Sequence, residues 1–210
     1  MAFTFWHESL SSTLIGLEAQ SILQFRGIPY GTVTHRFADP DSAVHLPTLL
    51  DCTKYGPRCP QVPVDFGHVH RIPRDVVNST EPEDEFRCLN LDVTIPKKYL
   101  FDGGRLPVMV WIHGGSQAVT FGSAASGVCD MKIIVGDSLR LEKPILTVSI
   151  QYRLNIFGVG HEKSSKNLAL RDQELALQWV QKHISGFGGD PGQVTLAEDR
   201  VEQKSIRNTN

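Results

Sequence analysis

The sequence predicts an α/β fold with a mixed, mostly parallel sheet and crossover helices, and three observations carry that expectation. Leu106-Pro-Val-Met-Val-Trp-Ile112 is a nearly continuous apolar run, as expected for a strand covered on both faces in a parallel sheet. Pro144-Ile-Leu-Thr-Val-Ser-Ile150 is a second such run. Between it and a short strand at Gln193–Leu196, an amphipathic stretch predicts a helix from Asn167 to about His183. Strand, helix and strand in that order from Pro144 to Leu196 make a βαβ unit.

Before Leu106 the chain reads differently. Pro29, Pro40, Pro47, Pro57, Pro60, Pro63 and Pro73 punctuate short extended runs such as Ser21–Phe25. Proline fixes φ and donates no backbone N–H, so long helices are not expected there. Ser79–Glu85 is acidic and expected to be exposed, and the alternation in Cys88–Ile95 predicts a strand.

In the predicted helix Asn167 is the candidate N-cap. Leu170, Leu177 and Ile184 recur every seven residues, with Leu168, Leu175 and Trp179 close to the same stripe. Gly186-Phe-Gly-Gly-Asp-Pro-Gly192 then breaks the helix. There is no internal repeat and no low-complexity segment.

At 210 residues with 40% hydrophobic and 21% charged residues, the chain can bury one sizeable core. A formal net charge of -2 and a pI near 6.4 imply no general attraction to nucleic acid or to an anionic membrane. No apolar stretch approaches the roughly 20 residues that span a bilayer. Met1–Leu17 lacks a basic start and is interrupted by His7, Glu8 and three serines, so no secretory signal is expected and cytoplasmic residence is the default. The spacing of Cys52, Cys59, Cys88 and Cys129 fits no zinc pattern, and no metal or cofactor is expected. By residue type alone, the four cysteines read as reduced thiols.

Several segments, in order, resemble one family. Phe25-Arg-Gly-Ile-Pro-Tyr30 is similar to the entry strand of type-B carboxylesterases, cholinesterases and fungal lipases. Gly56-Pro-Arg-Cys-Pro-Gln61, and Glu83-Asp84 with Cys88-Leu-Asn-Leu91, resemble the segments that carry its first disulfide. Val110-Trp-Ile-His-Gly-Gly115 resembles its oxyanion strand and loop. Tyr152–Gly158 and Asn167–Gln173 resemble its next two signatures, and Trp179-Val180 with Ile184–Thr195 the run toward the nucleophile. The likeness spans about residues 25 to 197 and is greatest to fungal members.

The resemblance implies a partial α/β-hydrolase fold and, for a whole relative, hydrolysis of a small-molecule carboxylic ester through a Ser–His–acid triad. By motif position, the backbone N–H groups of Gly115 and Ser116 are two oxyanion donors, with Gly114 allowing the tight approach; a plain strand-end turn is the alternative. Ser116 stands where members often have a third glycine, and its Cβ narrows the loop. The third donor would be the residue after the nucleophile. That serine sits on G-x-S-x-G, and no Gly-x-Ser-x-Gly occurs in the 210 residues. Gly136-Asp-Ser138-Leu-Arg140 lacks the second glycine, and Ser205 lies in a polar stretch.

The reading is therefore of a carboxylesterase portion over residues 1–197, truncated before the nucleophile elbow, with an unrelated polar tail over 198–210. Such a chain is expected to be inactive and prone to self-association through an exposed sheet edge. A non-catalytic binding or interaction module is the alternative.

The resemblance also implies a Cys59–Cys88 disulfide, against which a cytosolic location would argue. It further implies a structural ion pair of Arg153 with Asp172, and another of Arg36 with Glu83 or Asp84; solvated surface charge is the alternative. His113, just before the loop, reads as a structural residue rather than a base. Histidines 7, 35, 45, 68, 70, 161 and 183 show no nucleophile or metal spacing.

Overall fold

The computed structural model describes residues 1–43, 45–64, 81–160 and 167–198. Strands β1 (Ala2–His7) and β2 (Ser12–Ala19) form an antiparallel hairpin closed by a 3-10 turn over Glu8–Leu10. Strand β3 (Ile22–Pro29) follows, with β4 (Gly31–Thr32) and β5 (Asp41–Ser42) paired in a small separate ribbon. Next come β6 (Leu49–Asp51), β7 (Asn90–Pro96), helix α1 (Lys97–Phe101) and β8 (Leu106–Ile112). The remainder is α2 (Met131–Arg140), β9 (Leu146–Ile150), α3 (Asn155–Val159), α4 (Leu168–His183) and β10 (Gly189–Glu198).

The main sheet has the order β1-β2-β3-β7-β9-β8-β10, with β6 beside β2. It is mixed, as the sequence predicts. Parallel pairing joins β9, β8 and β10, and antiparallel pairing runs from β1 through β7 to β9. The chain passes from β8 through α2 to its neighbour β9, then through α3 and α4 to β10 on the other side of β8. That reversal is a topological switch point, and in open α/β sheets the crevice beyond the carboxyl end of such strands is where ligands bind. Beyond the end of β8 comes His113-Gly114-Gly115-Ser116.

The predicted strands are found with shifted limits: β7 and β9 begin two residues later than read, while β3 and β10 are longer, β10 taking in Gly189–Gly192. In β7 every residue is buried, including Asn90, Asp92 and Thr94. The alternation read in the sequence therefore does not separate core from solvent, because β7 is covered on both faces. The reverse holds for β8, where Val108 and Val110 are buried but Pro107 is exposed and Met109 and Trp111 are half-buried. In place of full burial, one face of β8 stays partly open.

The α4 stripe also needs correcting. Leu170 is 49% exposed, and the buried face runs through Leu168, Ala169, Asp172, Ala176, Trp179, Val180 and His183. Steps of three and four follow the 3.6-residue period, whereas a strict seven-residue step drifts off it. Asn167 occupies the N-cap position, but its backbone is left-handed (φ 60°) and its side chain makes no capping bond. Its N–H donates to Val159 O at 3.0 Å, so the residue serves as a turn between α3 and α4.

Glu81, expected in an exposed acidic run, is half-buried; Ser79 and Thr80 lie outside the described residues. So do residues 199–210, including Ser205, while Glu198 of the expected tail is the last residue of β10.

Candidate oxyanion loop

The loop after β8 is held from several sides. His113 O accepts from the Tyr152 hydroxyl at 3.0 Å, and its ring stacks on Tyr152 with centroids 4.5 Å apart. The His113 ring also lies 2.9 Å from Gly114 O, so Nδ1 carries the proton and donates. Burial pushes the imidazole down to about 4, which keeps it neutral. This is a structural histidine of the turn.

Gly115 has φ +112°, and a Cβ there would sit 1.8 Å from Val119 O. Glycine is required. Gly115 O accepts from Ala118 N and Val119 N at 3.0 and 3.2 Å, and Gly114 O accepts from Phe121 N at 3.1 Å. Ser116 and Gln117 both adopt left-handed backbone, φ 54° and 57°. Asn155 closes the far side: its N–H donates to Gln117 O at 2.6 Å and its Nδ2 to Pro60 O at 2.9 Å. Trp111 Nε1 donates to Gly122 O at 2.7 Å, and Gln61 Oε1 accepts from Thr120 N.

These bonds use the loop's carbonyls and leave two N–H groups over. Among the described residues, neither the Gly115 N–H nor the Ser116 N–H donates to a loop or turn acceptor. Free donors on a strained, fixed turn at a strand end are what a developing oxyanion needs.

The structure brings Arg153 and Asp172 together in full burial. Arg153 Nε and Nη2 donate to Asp172 Oδ2 and Oδ1 at 2.8 and 2.7 Å, the Arg153 N–H adds a third bond at 3.1 Å, and Nη1 reaches Ala38 O at 2.7 Å. Burial works against the guanidinium charge, but the Asp172 bonds outweigh it and hold Arg153 above its ordinary value.

Arg36 pairs with neither Glu83 nor Asp84. It makes a bidentate pair with Glu85, at 2.8 and 2.7 Å. Glu83 is taken by Arg58, which bridges it in a parallel β-contact, and Asp84 folds back on Arg87. Three successive acids cannot be told apart by sequence position when the backbone sets which one turns inward.

Cys59 and Cys88 are neighbours, buried, in hydrogen-bond contact and free. Leu154 N donates to Cys59 Sγ at 3.2 Å. Cys52 is buried and Cys129 half-buried.

Ser138 lies in α2, where its hydroxyl donates to Val135 O and accepts from Ile145 N, at 2.7 and 3.2 Å. It is a helix-end residue. His7 and His183, 176 positions apart, meet where His7 Nε2 donates to His183 O at 3.2 Å, and Ser9 Oγ is 2.8 Å from His183 Nδ1. No local pattern announces that contact, which ties the first hairpin to α4. His35 and His45 have no part in the loop, and His68, His70 and His161 lie outside the described residues. Among the described residues, no three His, Cys, Asp or Glu side chains group to hold a metal ion, and no helix is long and apolar enough to cross a membrane.

A family model described as the carboxylesterase family matches residues 12–200. Lipase 1 of Yarrowia lipolytica is 37% identical over 203 residues, covering 90% of this chain and 38% of that protein. An inactive carboxylesterase-like protein, VdtD of Byssochlamys spectabilis, is 34% identical over 199 residues, covering 89% and 32%. Among solved structures, a thermophilic pNB esterase superposes with a TM-score of 0.71 at 31% identity, covering 93% of this chain and 38% of that one. The chain thus spans about 38% of the length of such relatives.

Proposed function

The chain belongs to the carboxylesterase family, and on that premise we propose that it carries the oxyanion-binding part of a carboxylic-ester hydrolase without, in these 210 residues, the attacking serine. The observation that carries this reading is the loop at the end of β8, where among the described residues the N–H groups of Gly115 and Ser116 donate to no backbone acceptor of a loop or turn. When a nucleophile adds to an ester carbonyl, negative charge collects on its oxygen, and fixed backbone donors stabilise it. Removal of one such donor costs an enzyme about 10²–10³-fold in rate.

A donor pair alone does not cleave an ester, because a nucleophile must also attack the carbonyl carbon. No Gly-x-Ser-x-Gly is present, and Ser138 is engaged at the end of α2. The chain by itself is therefore inactive. Hydrolysis of a 4-nitrophenyl ester by the purified chain tests this: release at the buffer rate is expected, and phosphonate-sensitive turnover would overturn it.

A second reading, a non-catalytic esterase-like binding module, is favoured by the likeness to a protein named as inactive. It requires saturable ester-analogue binding without turnover.

The ligand class is a small-molecule carboxylic ester; nucleic acid is not a partner at this charge. The other contact open to the chain is along β10. Among the described residues it pairs only with β8, and Leu196 on it is 53% exposed, so a second copy can add there by strand pairing. A Cys59–Cys88 disulfide, closing about 30 residues, belongs to the same proposal.

A further inference from the structure

The loop rests on a buried polar chain of which the motifs quoted above include only His113. Because His113 Nδ1 donates to Gly114 O, Nε2 carries a bare lone pair. Among the described residues that nitrogen has no well-formed hydrogen bond. Gln151 is the side chain acting on it, yet the Gln151 Nε2 is spent on Glu81 Oε1 at 3.1 Å and its Oε1 has no partner. Glu81 Oε2 and Ser123 Oγ are likewise buried without a well-formed hydrogen bond among the described residues, although Ser123 acts on the Glu81 carboxyl. A buried polar atom left unpaired is costly, so a cluster of them signals a misplaced proton rather than separate defects.

One rearrangement satisfies His113 Nε2 and Gln151 Oε1 together. The oxygen and nitrogen of a side-chain amide are assigned from its hydrogen bonds, so the Gln151 amide can be turned by half a rotation. Its N–H then donates to His113 Nε2, and its Oε1 faces Glu81. That oxygen accepts only if Glu81 carries a proton. The surroundings favour this: burial first, and then Asp92 on β7, raise the Glu81 carboxyl to about 7, with Arg58, Gln151 and Ser123 opposing. Asp92 is itself raised by burial. The carboxyl borders a cavity of about 410 Å³ lined also by Arg26, Thr53, Lys54, Tyr55 and Ala125, which gives the proton a route to solvent.

We propose that Glu81, as a neutral carboxylic acid, is a positioning residue that donates to Gln151 and, through Gln151 and His113, fixes the Gly114–Ser116 loop. This rests on the reading of that loop as an oxyanion site, but its test uses no ester. In the isotope-labelled full chain, the Glu81 carboxyl ¹³C shift and the amide shifts of Gly114, Gly115 and Ser116 are followed from pH 5.5 to 8.5. A shared midpoint near neutrality is expected, as is loss of that midpoint from the loop amides in Glu81→Gln, whose amide can still donate. Loop amides that do not titrate in the wild type overturn the proposal, whatever becomes of the variant. So does a midpoint that survives in Glu81→Gln. Ester turnover by the chain would overturn the inactive reading alone.

Discussion

Arg153 and Asp172 face each other at 2.7 and 2.8 Å in full burial, the aspartate being wholly inaccessible. The arginine follows β9 and the aspartate lies on α4, so the pair fixes the helix to the end of the strand and to Ala38. Removing one member of a buried pair strands the other charge, which costs about 3–5 kcal/mol. Asp172→Ala is expected to lower the unfolding free energy by that amount, read from the urea midpoint and slope, and Arg153→Met with Asp172→Leu to recover part of it. A loss below about 1 kcal/mol in Asp172→Ala would show that the pair does not hold the helix.

Gly115 and Ser116 make a paired prediction. Gly115→Ala drives a Cβ into the Val119 carbonyl, and the expected loss is at least about 2 kcal/mol, since both sterics and φ are wrong. Ser116→Gly relieves a left-handed serine (φ 54°) while loosening the unfolded chain, so the two effects offset to within about 1 kcal/mol. Thermal melts of the two variants separate a loop that needs one glycine from one that needs two.

The β8 strand and its loop were legible because an apolar run ending in His-Gly-Gly has few local solutions. The same holds for β9 and for the existence of α4. What the sequence did not show depends on distant partners. The Arg153–Asp172 pair was expected, but the burial of His183 on α4 follows from its contacts with His7 and Ser9 of the first hairpin, far from α4 in sequence. Helix α2 was missed although Asp130 caps it, accepting from Lys132 N at 2.9 Å. Its Ile133 and Ile134 face outward, which blurs the amphipathic period. The Glu81–Gln151–His113 chain was invisible, because its members come from three separate segments.

Cys59 and Cys88 are close and buried, and their oxidation is a proposal with a direct check. After air oxidation and proteolysis under non-reducing conditions, mass spectrometry is expected to find the Cys59 and Cys88 peptides linked, with Cys52 and Cys129 alkylated after unfolding. The linked form gains roughly 3–4 kcal/mol in the chain-entropy model. Persistent reduction would agree with the cytosolic residence expected from the sequence.

The β10 edge predicts concentration-dependent association. Leu196→Lys places a charge on the exposed edge, which is how edge strands are commonly kept apart. Analytical ultracentrifugation should show the wild type shifting to larger species with concentration and the variant shifting less. Equal behaviour would remove β10 as the contact.

Stability should peak near pH 6.5, and the sign follows from two opposed sets of buried groups. Burial lowers His7, His113 and His183 from 6.5 to about 4. Unfolding between these values takes up protons, so what the imidazoles contribute is complete above pH 6.5 and lost as pH falls toward 4. Burial raises Glu81 and Asp92 from 4.5 and 3.8 to about 7. Their contribution is complete below the unfolded values and lost as pH rises through 7. Between pH 4.5 and 6.5 up to three protons are gained on unfolding and up to two released, so stability climbs gently with pH. Above 6.5 the imidazoles no longer differ between the two states, the carboxyls alone act, and stability falls. Urea midpoints from pH 4.5 to 7.5 at fixed ionic strength test this. Glu81→Gln with Asp92→Asn should abolish the decline above 6.5 while leaving the acid limb in place. A wild type whose stability rises steadily to pH 7.5 would mean that the two carboxyls are ionised in the folded chain.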